Sequence, residues 1–292
     1  MSISRQSFFT PSDDSNKNEV FKAYRDYLLA RNGPYNETFS TLAYRESSLN
    51  QMNASDIEFK GTISQVAFDQ HCKKYRPKSH DMTKDLNLIL ALTKINAGEA
   101  YGVEVIKALK AKRPIPRHEP LIEEVEFLVG EEEEYHTRIL KGAAVHFGLQ
   151  STDYFAPPLM LRGLINAIGR SPHRLYHTIL LASEMVGTFM LNWMLGEINS
   201  IFKEQPLLAD ALSERVMDIL VDEVGHITYN RYNLGNKYIK QGFWIMHHLV
   251  KGASIMTPPL KGLQFNRQTE KGLAKFDFIN LPEEVRRRAF LA

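Results

Sequence analysis

Apolar residues recur at helical spacing through most of the chain. Val20, Tyr24, Tyr27 and Leu28 share one face of a segment at 17–31, which Gly33-Pro34 stops. Four longer segments follow. Residues 84–110 carry Leu88, Leu92, Ile95, Val103 and Ile106 and close before Pro114 and Pro116. Residues 120–147 carry Ile122, Val129, Leu140, Ala143 and Phe147, and Gly148 ends them. Residues 172–202 open on Ser171-Pro172, read as an N-cap and a proline at the first helical position, and run through Leu180, Leu191 and Ile198. Residues 208–238 carry Leu212, Val216, Ile219 and Ile227. A short helix is expected around 63–75, another at 241–252 with Trp244 and Met246, and a basic one at 282–290. Residues 1–16 read as polar and loose. Sustained period-two alternation is missing, so the pattern predicts an all-α fold. Four helices of about 27 to 31 residues, each about 40 Å long, suggest a bundle. The expected organisation is one structural domain: an extension at 1–80 with short helices on the bundle, the bundle at 81–240, and a helix and tail at 241–292.

The inner face of each long helix is interrupted by a polar residue. Leu88, Leu92 and Ile95 lead to Glu99 before Val103 and Ile106 resume. Ile122 and Val129 lead to Glu133 and His136; Leu180 leads to Glu184; Val216 and Ile219 lead to Glu223 and His226. A Glu-x-x-His pair places both side chains on one helix face about one turn apart. Four carboxylates and two imidazoles therefore point into one core. An unpaired buried carboxylate costs several kcal/mol, and four together repel. Two divalent cations resolve both problems, and one imidazole per metal suits iron or manganese. Glu104 is the rival of Glu99 and Glu197 that of Glu184, but both lie off the apolar stripes. Within the run Glu131–Glu134, only Glu133 stands three before His136; the other three are expected to face elsewhere or flank the site.

Further residues are placed by spacing. Asp222 precedes Glu223 and is a candidate acceptor for a ligand imidazole. His177 lies two turns before Glu184 and is read as a base beside the metals or a core histidine. Tyr101, Tyr135 and Tyr229 lie near ligands and are read as packing residues. His247 and His248 are adjacent and cannot chelate together, while His71, His80, His118, His146 and His173 are read as structural or surface residues. Phe127, Met185, Phe189 and Trp193 are the candidates to line a tunnel to the metals, although each taken alone reads better as plain core.

Composition narrows the function. Apolar residues make up 43% and charged residues 24%, which suits a packed globular chain. Thirty-six Lys and Arg against 34 Asp and Glu give a net charge of +2, which does not mark a nucleic-acid binder. The basic run Arg286–Arg288 is read as a solvated helix face. The single cysteine, Cys72, excludes a disulfide framework and a Cys-rich metal site. The N-terminal segment lacks the apolar core of a secretory signal, and no run of about 18 uncharged apolar residues is seen, so a cytoplasmic protein with no membrane span is expected. No phosphate loop, dinucleotide fingerprint or nucleophile elbow occurs.

The order Glu99, Glu133-x-x-His136, Glu184, Glu223-x-x-His226, spread over residues 84–238, resembles that of the ferritin-like di-iron carboxylate proteins. These include acyl-carrier-protein desaturases, bacterial multicomponent monooxygenases, class I ribonucleotide reductase small subunits, aldehyde-deformylating oxygenases and the p-aminobenzoate N-oxygenase group. The resemblance implies a ferritin-like four-helix bundle with added terminal helices and a di-iron oxidoreductase, with manganese as the alternative metal and O2 as co-substrate. Glu133 and Glu223 would bridge or chelate, Glu99 and Glu184 would be terminal carboxylates, and His136 and His226 would each bind one metal. It implies a peroxo or high-valent intermediate that hydroxylates, N-oxygenates, desaturates or cleaves a small or carrier-bound organic substrate. It also implies an external electron donor, such as a reductase or ferredoxin, and dimers are common among such proteins. The N-oxygenase group has a third histidine where this chain has Ile219, so the chain departs from that pattern. An iron-storage or peroxide-detoxifying protein is the alternative for the same ligands.

Overall fold

The computed structural model describes residues 7–10, 14–34, 43–54, 56–73, 82–110, 120–150, 159–236, 238–242, 244–246, 248 and 258–292. Every regular element among them is helical. The chain is all-α. Three helices precede the long ones: α1 (Lys17–Asn32), α2 (Ala43–Asn53) and α3 (Gln65–Lys73). The long helices are α4 (Lys84–Lys110), α5 (Pro120–Gly142), α7 (His173–Ile201) and α8 (Pro206–Leu234). Between α5 and α7 lies a helix not assigned above, α6 (Leu159–Gly169). Short helices Pro258–Gly262, Arg267–Gly272 and Glu283–Arg288 complete the described chain. Of the expected helix at 241–252, residues 241–242, 244–246 and 248 are described and helical; His80, His118 and His247 lie outside the described residues.

Two helix ends differ from expectation for local reasons. The segment expected as one helix at 120–147 is α-helical to Gly142, then tightens into a 3-10 turn, Ala143–Phe147. Gly148 ends it in the left-handed region at φ 64°, a conformation glycine adopts without steric cost. Pro206 opens α8 and Gly235 closes it at φ 66°. At the start of α7 the N-cap is Pro172, not Ser171, whose hydroxyl instead donates to the Ile168 carbonyl.

α4 packs along α5 and α7 along α8; α5 also meets α8, and α4 meets α7. α1 lies against α5 and α8, and α6 lies across α4 and α7. α8 is the most enclosed of these, buried without a break from Asp218 to Tyr232. A helix enclosed on all sides is ordinarily apolar. This one carries Asp218, Asp222, Glu223, His226, Asn230 and Arg231 through the interior, and each requires a partner. Those partners define the site described below.

Three expectations are corrected. The N-terminal segment is not loose where it is described: Phe8 is fully buried against Phe276 and Phe278, its N–H donates to Asp277, and Arg231 donates to the Thr10 carbonyl. The basic run is not purely a solvated face, because Arg288 turns inward and pairs with Asp218 at 2.8 Å. Finally, α7 is long and apolar enough to cross a membrane by length and composition. Its most apolar stretch is 56% buried inside the protein, and its inner face carries Glu184.

Candidate metal centre

Glu133, Glu184, Glu223 and His226 converge from α5, α7 and α8 so that one donor atom of each lies within 4.8 Å of the others, a cluster able to hold a metal ion. Glu133 occupies the middle. Its Oε1 lies 3.0 Å from His226 Nδ1 and its Oε2 lies 3.7 Å from His136 Nδ1. His136 Nδ1 is also 3.5 Å from Glu223 Oε1. The two imidazole rings stand 5.6 Å apart between centroids. Glu99 enters from α4 and lines the same cavity as Glu133, Glu184 and Glu223, outside the tight group of four. The structure thus gathers all six residues picked from the sequence around one space. The rivals lie elsewhere: Glu104 is exposed, and Glu197 faces Lys84.

The outer nitrogens of both imidazoles are held by carboxylates. His136 Nε2 donates to Asp222 Oδ2 at 3.0 Å and His226 Nε2 donates to Glu132 Oε2 at 3.2 Å. Each acid immediately precedes a cluster glutamate on its own helix and reaches the histidine of the other helix. Asp222 was legible as such a partner; Glu132, expected to face elsewhere or to flank the site, flanks it and carries the same signal one residue before Glu133. Glu132 is fully buried and also accepts from Asn32 of α1 at 3.0 Å. Asp222 is fixed by Arg31 Nε at 2.5 Å and by Arg45 Nη2 at 2.5 Å. Burial opposes ionisation of Asp222, but the two guanidiniums and His136 hold its carboxyl well below the usual range. Arg31, Arg45 and Arg288 also pair with Asp218, which accepts from Tyr135 as well, and Arg45 lies over the Tyr135 ring.

With Nε2 protonated, a neutral imidazole turns its Nδ1 lone pair inward. Both lone pairs then face carboxylate oxygens. Neither His136 Nδ1 nor His226 Nδ1 makes a hydrogen bond, and neither does Glu99 Oε2 nor Glu223 Oε2, although all four atoms are buried. Such an arrangement needs positive charge between the groups, either as protons or as cations. In the metal-free protein protons supply part of it. Burial pushes the Glu99 carboxyl up to about 8, against the pull of His136 and with the help of Glu133 and Glu184. Burial and then Glu184 push Glu223 well above the usual range. Burial lowers His226, but Glu133 and Glu132 outweigh it and hold the ring well above its ordinary value. The donor set, carboxylates and imidazoles with no thiol, is one that can ligate a divalent metal ion.

Next to the cluster lies a cavity of about 310 Å3, walled by α4, α5, α7 and α8 and roofed by Ile165, Ile168 and Gly169 at the C-terminal end of α6. His177 lines it without joining the cluster of four. Asn230 Nδ2 donates to the His226 carbonyl at 3.0 Å, which leaves its Oδ1 to accept from His177 Nδ1 at 2.9 Å. None of the four residues expected to line a tunnel borders this cavity. Phe127 is an exposed residue, Met185 and Phe189 belong to the core, and Trp193 packs edge-on against Phe265. Tyr101 accepts from Asn166 of α6 and Tyr135 donates to Asp218, while Tyr229 is buried beside Phe21. No family model matches the chain, and no curated protein or solved structure is significantly similar to it.

Proposed function

We propose that this chain is an O2-activating di-iron oxygenase or oxidase of the ferritin-like bundle class, acting on a small or carrier-bound organic substrate. The observation that carries this reading is the convergence of two buried imidazole Nδ1 atoms and two carboxylate oxygens, none with a hydrogen-bond partner, beside a cavity of ligand size. Glu133, with one oxygen toward each imidazole, would be shared by the ligand sets of both histidines. His136 and His226 each serve one metal; Glu99, Glu184 and Glu223 complete the set. Bound iron would supply the electrons and the Lewis acidity for O2 chemistry. The protein contributes the rest. Asp222 and Glu132 hold each ring in its Nε2–H tautomer, so that Nδ1 ligates. The cavity wall places the substrate against the carboxylates.

The test is anaerobic loading of the metal-free chain with Fe(II), a count of iron per chain, then admission of O2 under an optical spectrometer. About two irons per chain with an oxygen-dependent visible transient supports the proposal. Iron below stoichiometry, or stoichiometric iron with no spectral change on adding O2, counts against it.

A further inference from the structure

The cavity is shaped by glycine. Gly98 and Gly102 on α4, Gly130 on α5 and Gly187 on α7 all line it, and a Cβ built on any of them meets no atom within 4 Å. Glycine inside a helix costs about 1 kcal/mol relative to alanine, so four of them are an expense the fold does not need for packing. Their positions are not scattered. Gly102 lies three residues after Glu99, Gly130 three before Glu133, and Gly187 three after Glu184. At that spacing each glycine shares a helix face with its glutamate, one turn away. Three helices therefore leave open space directly beside the carboxylates. Open space at a built Cβ also occurs at Gly163 and Gly196, away from the cavity; what marks this space is that Glu99 Oε2 and Glu223 Oε2 are buried and unpartnered and that both residues line it.

The remaining wall defines what fits. Val103, Ile106, Val129, Ile165, Ile168 and Leu180 make most of it apolar, and His177, Ser183 and Asn230 add polar groups. Among the described residues that line it there is no lysine or arginine, while Glu126 adds a carboxylate to those of the cluster. Two divalent cations would be neutralised by Glu99, Glu133, Glu184 and Glu223, leaving no positive charge for an anion. A buried carboxylate without a partner costs several kcal/mol. At about 30 Å3 per water-sized group, 310 Å3 holds roughly ten heavy atoms.

We infer that this cavity binds an uncharged, predominantly apolar molecule of about ten heavy atoms, and that Gly102, Gly130 and Gly187 set its size by leaving room over the carboxylates. The inference rests on the di-metal reading for the charge balance but not for the cavity itself. Side chains at the three glycines would occupy the space where the reacting end of the ligand lies, which makes these positions the determinants of specificity.

The test uses the full chain loaded with Zn(II), which is redox-silent, and calorimetric titration with octan-1-ol and octanoate, equal in chain length and different in charge. Zinc per chain is measured on the same samples. Octan-1-ol is expected to bind at one per chain and octanoate about tenfold or more weaker. Gly102→Leu is expected to lose octan-1-ol binding by about tenfold or more while keeping its zinc and its helical circular dichroism, and Gly130→Leu, on a different wall, repeats the test. Octanoate binding as tightly as the alcohol, no alcohol binding by zinc-replete protein, or unchanged binding by both leucine variants overturns the inference and leaves the metal reading standing. Zinc-free protein that still binds octan-1-ol and rejects octanoate supports the inference and removes the metal reading.

Discussion

Asp222 of α8 accepts a hydrogen bond from His136 of α5 across the helix interface, Oδ2 to Nε2 at 3.0 Å. Glu132 of α5 does the same for His226 of α8. The two stretches, Glu132-Glu133-x-x-His136 and Asp222-Glu223-x-x-His226, are thus one device used twice, each helix supplying the outer acceptor for the other's imidazole. The two halves differ in what stands behind them. Two arginines fix Asp222, whereas Glu132 has the neutral amide of Asn32.

That difference separates two substitutions. Asp222→Asn and Glu132→Gln are each expected to weaken metal binding about 10- to 100-fold by loosening a ligand imidazole. Only Asp222→Asn also strips Arg31 and Arg45 of a buried counter-charge, so it is expected to destabilise the metal-free chain by about 3 kcal/mol. Chelator competition measures the first effect and urea unfolding the second. Equal stability losses would contradict the asymmetry.

Glu99→Gln is expected to act with opposite signs on stability and on metal affinity. The folded-state pKa of Glu99 is raised to about 8, above the ordinary 4.5. The folded state therefore binds the proton more tightly than the unfolded state, and the metal-free wild type loses stability as pH rises from about 4.5 through about 8. Glutamine cannot ionise and escapes that loss. The variant should match the wild type near pH 4 and exceed it by about 4 kcal/mol at pH 8, while binding metal more weakly at every pH. Denaturation at a series of pH values checks it, and a variant less stable than wild type at pH 8 would sink the idea.

The long helices and the six cluster residues were legible because a 3.6-residue apolar period is a strong signal and each interruption fell on it. What was not legible depends on neighbours distant in sequence. Glu132 is not told apart from Glu131 and Glu134, all three read as facing elsewhere or flanking the site, until α1 brings Asn32 over it. Arg31 and Arg45 reach Asp222 from nearly two hundred residues away, which no spacing rule encodes. α6 was legible but went unassigned: Leu161, Leu164, Ile165 and Ile168 recur at the spacing of one helix face, over only eleven residues. The tunnel residues were misjudged because large apolar side chains were sought, while the space was made by glycines.

Cys72 is expected to be inert. It is 6% exposed, and burial pushes its thiol up to about 12 despite the nearby Lys94. At pH 8 the thiolate fraction falls roughly a thousandfold below that of an ordinary cysteine. A thiol-disulfide reagent should label the native chain about that much more slowly than the chain in denaturant, and comparable rates would show that the segment opens.

Gly225 sits between Glu223 and His226, and a Cβ there would lie 2.6 Å from the Tyr24 hydroxyl and 2.8 Å from its Cε2. Tyr24 has little room to yield, since it is 1% exposed and stacks on Phe290 at 5.0 Å. Gly225→Ala should therefore cost about 2 kcal/mol and shift the α8 backbone where it carries two cluster residues, so metal affinity falls with stability. The Tyr24 hydroxyl is buried without a hydrogen-bond partner. Removing it leaves no acceptor or donor behind, so Tyr24→Phe should change stability by less than about 0.5 kcal/mol. Combined with Gly225→Ala, it should recover part of the loss, because the hydroxyl is the nearest obstacle, but not all, because Cε2 remains. Unfolding of the two single variants and the double variant gives the interaction energy directly. Strictly additive losses would mean that the methyl group added at position 225 does not strike the Tyr24 hydroxyl.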